Sequence, residues 1–461
     1  MNILFLTESD ISPLMGGTER ITETVAAELT RRGHRCFLAY ELPTDLPRSA
    51  RFAAKLHYSP GCEREQFREF IDGCRVDVVI SNLVKIEWKY RLLPMLKDLS
   101  RSMGFRIVAC FHALAGEEIE GTNPLNAAWR LLNGGSIGEF LRETALYITP
   151  KPLTKAIFKG KLERRYRVLY DNADKVILHT MSLFPGFEYY CGSVDRGRFY
   201  DIPSALSFDH FADAAELRAK EKMVLLLARM DERSKRISLA LKIWQMVERS
   251  PQGEGWSLHI VGGGKDLEWF RGIARRLGLR RCIFEGRQED ALAWYRRASL
   301  FMMTSAYEAW GLTLTEAQQC GAVPFAFDTY ASLHDIIESG VSGFIIPEGD
   351  VEGYAAALKD IMADDERRLE VAAGGITSCR RFTAERVGER WERFLESLIN
   401  GDDSGTEKGL QTRDADTALD TDTALDTDAA RDADTAPNAG TASDVGAARD
   451  AAPGAPDPDI S

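Results

Sequence analysis

The stretch Ser299–Pro324, SLFMMTSAYEAWGLTLTEAQQCGAVP, contains strand, loop and helix in one readable unit. Its apolar run Leu300–Met303 reads as a buried strand ending near Thr304. A loop carrying Glu308 comes next, and Gly311 then precedes a helix that Gly321 and Pro324 break. The run Val323–Phe327 begins another strand at once. The same alternation fills the first 375 residues on either side of this unit. Toward the N-terminus lie Ile3–Leu6, Cys36–Ala39, Val76–Ile80, Ile107–Cys110 and Val176–Leu178. The second half adds Met223–Leu227, Leu258–Val261, Cys282–Glu285 and Phe344–Ile346. Runs of three to five apolar residues without polar alternation belong to parallel strands covered on both faces. Two such series predict an α/β protein with two tandem, doubly wound, Rossmann-like domains, 1–203 and 204–375, joined near 203–220.

The intervening helices are legible as well. Ile21, Val25 and Leu29 recur every fourth residue, with Thr18 placed to cap the start and Gly33 after the end. A last helix over 384–399 sets Val387, Trp391, Phe394, Leu395 and Leu398 on one face. Residues 401–461 lack aromatics, repeat DTALDT, and hold 15 acidic against 4 basic residues. Such a tail buries too little apolar area to offset its chain entropy and is expected to be disordered. Its DTD and DAD triplets are a coincidence of composition, and no metal is assigned. Without the tail, the formal charge of −12 shrinks to −1. That balance excludes a basic, nucleic-acid-type surface for the globular part. No run approaches the roughly 20 apolar residues that a bilayer span requires. The N-terminus, MNILFLTESD, reads as a first strand rather than a secretion signal. Eight scattered cysteines without a C-x-x-C pair fit reduced thiols in a cytoplasmic protein.

Four groups of residues could carry chemistry. Glu308 lies in a loop and Glu316 early on a helix, with the open N–H groups of Gly311, Leu312, Thr313 and Leu314 between them. Helix-start N–H groups bind phosphate, and flanking carboxylates accept hydrogen bonds from sugar hydroxyls. The same spacing equally describes two acidic residues serving the helix dipole. Arg229, Arg233, Lys235 and Arg236 come after strand Met223–Leu227, at the strand end where α/β sheets bind ligands. They could neutralise a departing diphosphate or form a solvated basic loop. Gly16-Gly17, between the first strand and first helix, permit close backbone approach to a ligand. His112 stands just past strand Ile107–Cys110, in a structural or a functional role. Gly262-Gly263-Gly264 does not complete a dinucleotide fingerprint and reads as a tight turn.

With these residues in order, the chain resembles the retaining glycosyltransferases of family four (group 1), which have the GT-B architecture. The resemblance is close over 223–350, through LLARMDERSK, EAWGLTLTEAQQCGAVPFAFD and SGFIIPEGD. It is looser over 1–203, through GGTERITETVAAELTRRGH and NADKVILH. It implies a nucleotide-diphosphate sugar on the second domain and an acceptor facing the first. Arg229 and Lys235 would hold the diphosphate, Glu316 the ribose and Glu308 the donor sugar. Gly16 and Gly17 would approach the phosphate, with His112 near the sugar, and helix 384–399 would cross back onto the first domain. Three positions depart from the family pattern: Ala228 replaces a glycine, the Arg229–Lys235 interval is one residue longer, and the hinge reads Ile202-Pro203-Ser204. The longer interval leaves Arg233 and Arg236 as alternatives to Lys235.

The implied activity is retaining, metal-independent transfer of a hexose-like unit to a glycan or polyprenyl-linked saccharide, without a cofactor, in cell-envelope or exopolysaccharide synthesis. The alternative is a catalytically silent sugar-nucleotide-binding or polysaccharide-assembly protein. Residues 151–167, KPLTKAIFKGKLERRYR, carry seven basic residues interleaved with Leu153, Ile157, Phe158 and Leu162. They read either as a peripheral contact with the anionic inner face of the cytoplasmic membrane or as a solvated basic helix.

Overall fold

The computed structural model describes residues 1–12, 16–83 and 86–401. Met15 and the acidic tail from residue 402 onward lie outside them. Seven parallel strands form the first sheet: β1 (Asn2–Leu6), β2 (Arg35–Tyr40), β3 (Ala54–His57), β4 (Val78–Ser81), β5 (Arg106–Cys110), β6 (Lys175–Leu178) and β7 (Phe199–Asp201). Their order is β3-β2-β1-β4-β5-β6-β7. Six parallel strands form the second: β8 (Glu221–Leu227), β9 (Ser257–Val261), β10 (Cys282–Gly286), β11 (Ala298–Met303), β12 (Val323–Phe327) and β13 (Phe344–Ile346), in the order β10-β9-β8-β11-β12-β13. In each sheet the strand order reverses beside its first strand, at β1/β4 and at β8/β11. Ligands of open α/β sheets bind in the crevice beyond such a reversal.

Eight helices position the site and its surroundings: α1 (Gly17–Arg31), α2 (Pro124–Leu132), α3 (Ile137–Ile148), α4 (Lys151–Asp171), α5 (Glu232–Lys235), α6 (Ile237–Glu248), α7 (Leu312–Gln319) and α8 (Ala384–Asn400). Apolar strand residues pack against helices on both faces of each sheet. Val387, Trp391, Phe394 and Leu395 of α8 join Ile3, Phe5, Val25 and Leu29 in one core cluster, so the last helix completes the core of the first sheet.

The helix starts differ from expectation at one point. Thr18 does not cap α1; it lies within the first turn, and Gly16 occupies the cap without a side-chain bond. The N–H groups at this helix start therefore have no side chain competing for them. The 151–167 stretch is also only partly amphipathic. Leu162 is fully buried and Phe158 packs on the core, whereas Leu153 and Ile157 are exposed. No helix among the described residues is long and apolar enough to cross a membrane. All eight cysteines are free thiols.

Candidate functional site

A cavity of about 270 Å³ opens between the carboxyl ends of the two sheets. From the first sheet it is lined by Gly17, Thr18 and Ile21 of α1, by His112 and Glu117 after β5, and by His179 after β6. From the second come Arg229, Ser234 and Lys235 after β8, and Tyr307, Glu308, Trp310, Gly311 and Leu312 after β11. Residues more than 200 positions apart thus share one wall.

The loop carrying the cations is held from both sides. Thr304 Oγ1 donates to the Lys235 carbonyl at 2.9 Å, and the Ala306 N–H donates to the Ser234 carbonyl at 2.8 Å. Gly262 exists for this packing: a Cβ there would lie 1.9 Å from the Ala228 carbonyl oxygen, so the glycine triplet is the floor under the loop. Of the four cations, only Arg229 and Lys235 face the cavity. Arg236 donates to the Thr304 and Ser305 carbonyls at 3.0 and 2.9 Å and pairs with Glu348 at 3.1 Å. Arg233 reaches the other lobe, donating to the carbonyls of Glu118 and, at 3.2 Å, Glu120. Close approach there requires Gly121, whose Cβ would lie 1.8 Å from the Arg233 carbonyl oxygen.

The carboxylates separate in the same way. Glu308 pairs with Lys235 and accepts from Ser305 Oγ at 2.7 Å. Gly311, at φ +95°, turns the chain into α7 without a side-chain cap, which leaves the first N–H groups of that helix open beside Lys235. Thr313 lines a small void behind Lys235 and Glu308 rather than the main cavity. Glu316 is fully buried and does not line the cavity. Tyr295 donates to its Oε2 at 2.9 Å, and the Arg20 guanidinium of α1 lies 2.7 Å from Oε1, out of line for a hydrogen bond. Glu316 thereby closes an ion pair between the lobes.

Further side chains at the site were not found from sequence. His179 Nε2 lies 3.1 Å from His112 Nδ1, whose other nitrogen lies 3.1 Å from Asn82 Oδ1. Ser204 Oγ is 3.2 Å from His179 Nδ1. Burial drives both imidazoles toward the neutral form: His112 is held well below the ordinary 6.5, with the His179 and Lys89 charges adding to the effect, and His179 is lowered to about 4. His179 ends the run NADKVILH, at a strand's carboxyl end as His112 does, so that signal was available. Glu117 is another such side chain, its carboxyl pushed up to about 7 by burial first and by the Glu118 charge second. Lys89, nearby, is lowered by burial to about 8.

The two buried histidines set a pH dependence of stability. Their folded values lie below the unfolded value, so between about pH 6.5 and 4 the unfolded chain binds more protons. Their contribution is complete above the unfolded value and is lost as the pH falls through that window. In denaturant titrations across it, we expect a His179→Asn variant to show a shallower loss of unfolding free energy than the parent chain. Equal slopes would contradict burial of a neutral imidazole.

Comparison with known proteins agrees with this architecture. Residues 208–376 match the family described as glycosyl transferases group 1. A D-inositol 3-phosphate glycosyltransferase from Corynebacterium jeikeium is 24% identical over 253 residues, covering 50% of this chain and 59% of that protein. A phosphatidyl-myo-inositol mannosyltransferase from Mycolicibacterium smegmatis is 28% identical over 225 residues, covering 46% and 56%. The chain spans between 16% and 59% of the length of the curated relatives it matches. Among solved structures, HepE from Anabaena in complex with UDP superposes with a TM-score of 0.63 at 16% identity, covering 86% of this chain and all of that one. Residues 208–376 are thus similar to glycosyl transferases group 1, within a chain of two-sheet GT-B fold.

Proposed function

We propose that the chain is a retaining, metal-independent glycosyltransferase. It moves a hexose-like unit from a nucleotide-diphosphate sugar to a glycan or polyprenyl-linked saccharide in cell-envelope or exopolysaccharide synthesis. The observation that carries this reading is one cavity joining Arg229, Lys235 and the open start of α7 to Gly17 and His112 of the opposite lobe. A diphosphate fits that chemistry: two cations and helix N–H groups from one lobe, a neutral imidazole from the other. The relatives are named for transfer to small or lipid-borne acceptors, and a protein of the same fold holds UDP.

In this reading residues 1–203, with α8, form the acceptor side, and residues 204–375 hold the donor. The C1–O bond of the donor breaks with its electron pair leaving on the diphosphate, and the new charge is met by Arg229, Lys235 and the N–H groups of Leu312 and Thr313. The acceptor hydroxyl forms the new bond to C1 on the same face. Its proton leaves with the diphosphate. Glu308, paired with Lys235 in the donor-free chain, exchanges that partner for donor sugar hydroxyls as the diphosphate takes over the ammonium. Glu316 meets the ribose only by sharing its carboxylate with Arg20. Cytoplasmic residence at the inner membrane face belongs to the same reading.

The test is nucleotide release from UDP-, GDP- and ADP-sugars, with and without lipid-linked saccharides. Release that depends on an acceptor supports transfer; tight binding with no release for any donor supports the silent binding protein. Glu117 adds a pH signature. Its carboxyl becomes an anion as the pH rises through about 7, facing the site of the diphosphate. Donor affinity is therefore expected to fall between pH 6 and 8 by more than it does in Glu117→Gln, which keeps only the smaller fall from Lys89 as it loses its proton near 8. A falling profile of equal size in the variant would rule out a role for Glu117 at the phosphate.

A further inference from the structure

The helical hairpin α2–α3 and the first turns of α4 bury polar groups on their inner side and expose apolar ones on their outer side. Inside, beside Ala127 and Trp129, Asn126 and Glu143 are buried, and the largely buried Arg130 guanidinium lies 2.6 Å from Glu139, 3.4 Å from Glu143 and 3.2 Å from Asp266. Their outer side is apolar. Eight of the fourteen exposed large apolar side chains among the described residues fall within 125–157. Leu132, Leu125 and Ile148 are 86%, 77% and 73% exposed, and Ile137, Leu141 and Ile157 extend the patch. A surface of this kind on a water-facing helix pair is a contact face waiting for an apolar partner.

The charge around the patch identifies that partner. From Arg142 to Lys161 the only acidic residue is Glu143, which is buried, whereas Arg142, Lys151, Lys159 and Lys161 are exposed. Apolar side chains flanked by these cations, with the Glu139 carboxylate drawn to Arg130, match a bilayer interface with anionic head groups. We infer that the α2–α3 hairpin, with the first turns of α4, docks the protein onto an anionic lipid surface through Leu132, Ile148 and their neighbours. This moves the contact away from the 151–167 helix as a whole, since the second half of that helix is turned into the core.

Position gives the docking face a purpose. Tyr147, Thr149, Lys151 and Thr154, at the base of the hairpin, line a second cavity of about 360 Å³ shared with Arg236 and Lys242 of the other lobe. A saccharide carried on a membrane lipid would meet the protein there. That last step rests on the transferase reading; the docking itself does not.

The test is co-sedimentation of the full chain with vesicles of phosphatidylcholine alone or with added phosphatidylglycerol, at low and high salt. Each inserted leucine or isoleucine is worth about tenfold or more in partitioning, so L132D/I148D should bind at least about a hundredfold more weakly. Each cation contributes about fivefold at an anionic surface, so R142E/K159E should lose at least about 25-fold and the salt dependence with it. These positions lie outside the donor cavity, so binding of a nucleoside diphosphate should be unchanged in both variants. No binding by the parent chain to the anionic vesicles, or equal binding by the variants, would overturn the proposal. So would a concentration-dependent doubling of mass that L132D/I148D abolishes, which would give the face to a second copy. Vesicle binding without nucleotide release would leave the docking surface standing and remove the transferase reading.

Discussion

Lys235→Ala is expected to lower turnover by about a hundredfold, more than Arg229→Ala, although both remove one cation from the same cavity. A charge-assisted contact of this kind contributes roughly 1.5–3 kcal/mol, and each 1.4 kcal/mol is about tenfold in rate. Arg229 should therefore cost about ten- to a hundredfold. Lys235 costs more because it has two duties: it also neutralises Glu308, which is otherwise left as a lone carboxylate facing the diphosphate. The double variant K235A/E308Q separates the two effects. If repulsion from Glu308 matters, the double variant binds a nucleoside diphosphate better than Lys235→Ala alone. If the double variant binds no better, Glu308 has no electrostatic role at the phosphate.

The second large effect concerns Glu316 and Arg20. Their ion pair joins α7 to α1 with the carboxylate fully buried and the guanidinium side chain 22% exposed. Removing one partner of a buried pair strands the other in a poor solvent, at a cost of about 3 kcal/mol or more. Arg20→Ala should thus destabilise the fold by roughly that amount. Glu316→Gln keeps an acceptor for the Tyr295 hydroxyl and should cost less than Glu316→Ala. Because the pair spans both lobes, a double-mutant cycle of R20A and E316A should show coupling of about 1–3 kcal/mol in unfolding free energy. Additive effects would mean that the lobes are not tied together at this point.

Burial on both faces made most of the strands legible in the chain. They announced themselves as apolar runs, and all eleven runs named from sequence coincide with strands to within two residues at either end. The two that escaped, β3 and β7, are the edges of the first sheet. Ala54–His57 is half exposed and Phe199–Asp201 has only three residues, so neither writes a buried run. Thr18 looked like a cap because its residue type favours caps, yet glycine at position 16 is what frees the helix start for a ligand.

The site divides similarly. Arg229, Lys235, Glu308 and Gly311 sit in turns that come after single strands, so local sequence already placed them at strand ends. Arg233 and Arg236 could not be told from Lys235 by spacing, because their partners, the carbonyls of 118–120 and 304–305, come from distant chain segments. Spacing alone could not pair Glu316 with Arg20, almost 300 residues away in the chain. Glu117 carries no motif at all. Its raised pKa comes mainly from burial in the cleft, which the fold sets rather than any stretch of sequence.

A crystal structure with the nucleoside diphosphate that the release screen identifies would locate the donor outright. Both phosphates should lie in the inter-lobe cavity, within hydrogen-bond reach of Arg229, Lys235 and the N–H groups of Leu312 and Thr313. A diphosphate seated elsewhere, or one in this cavity that leaves Lys235 bound to Glu308 and Arg229 turned to solvent, would contradict the proposed donor site.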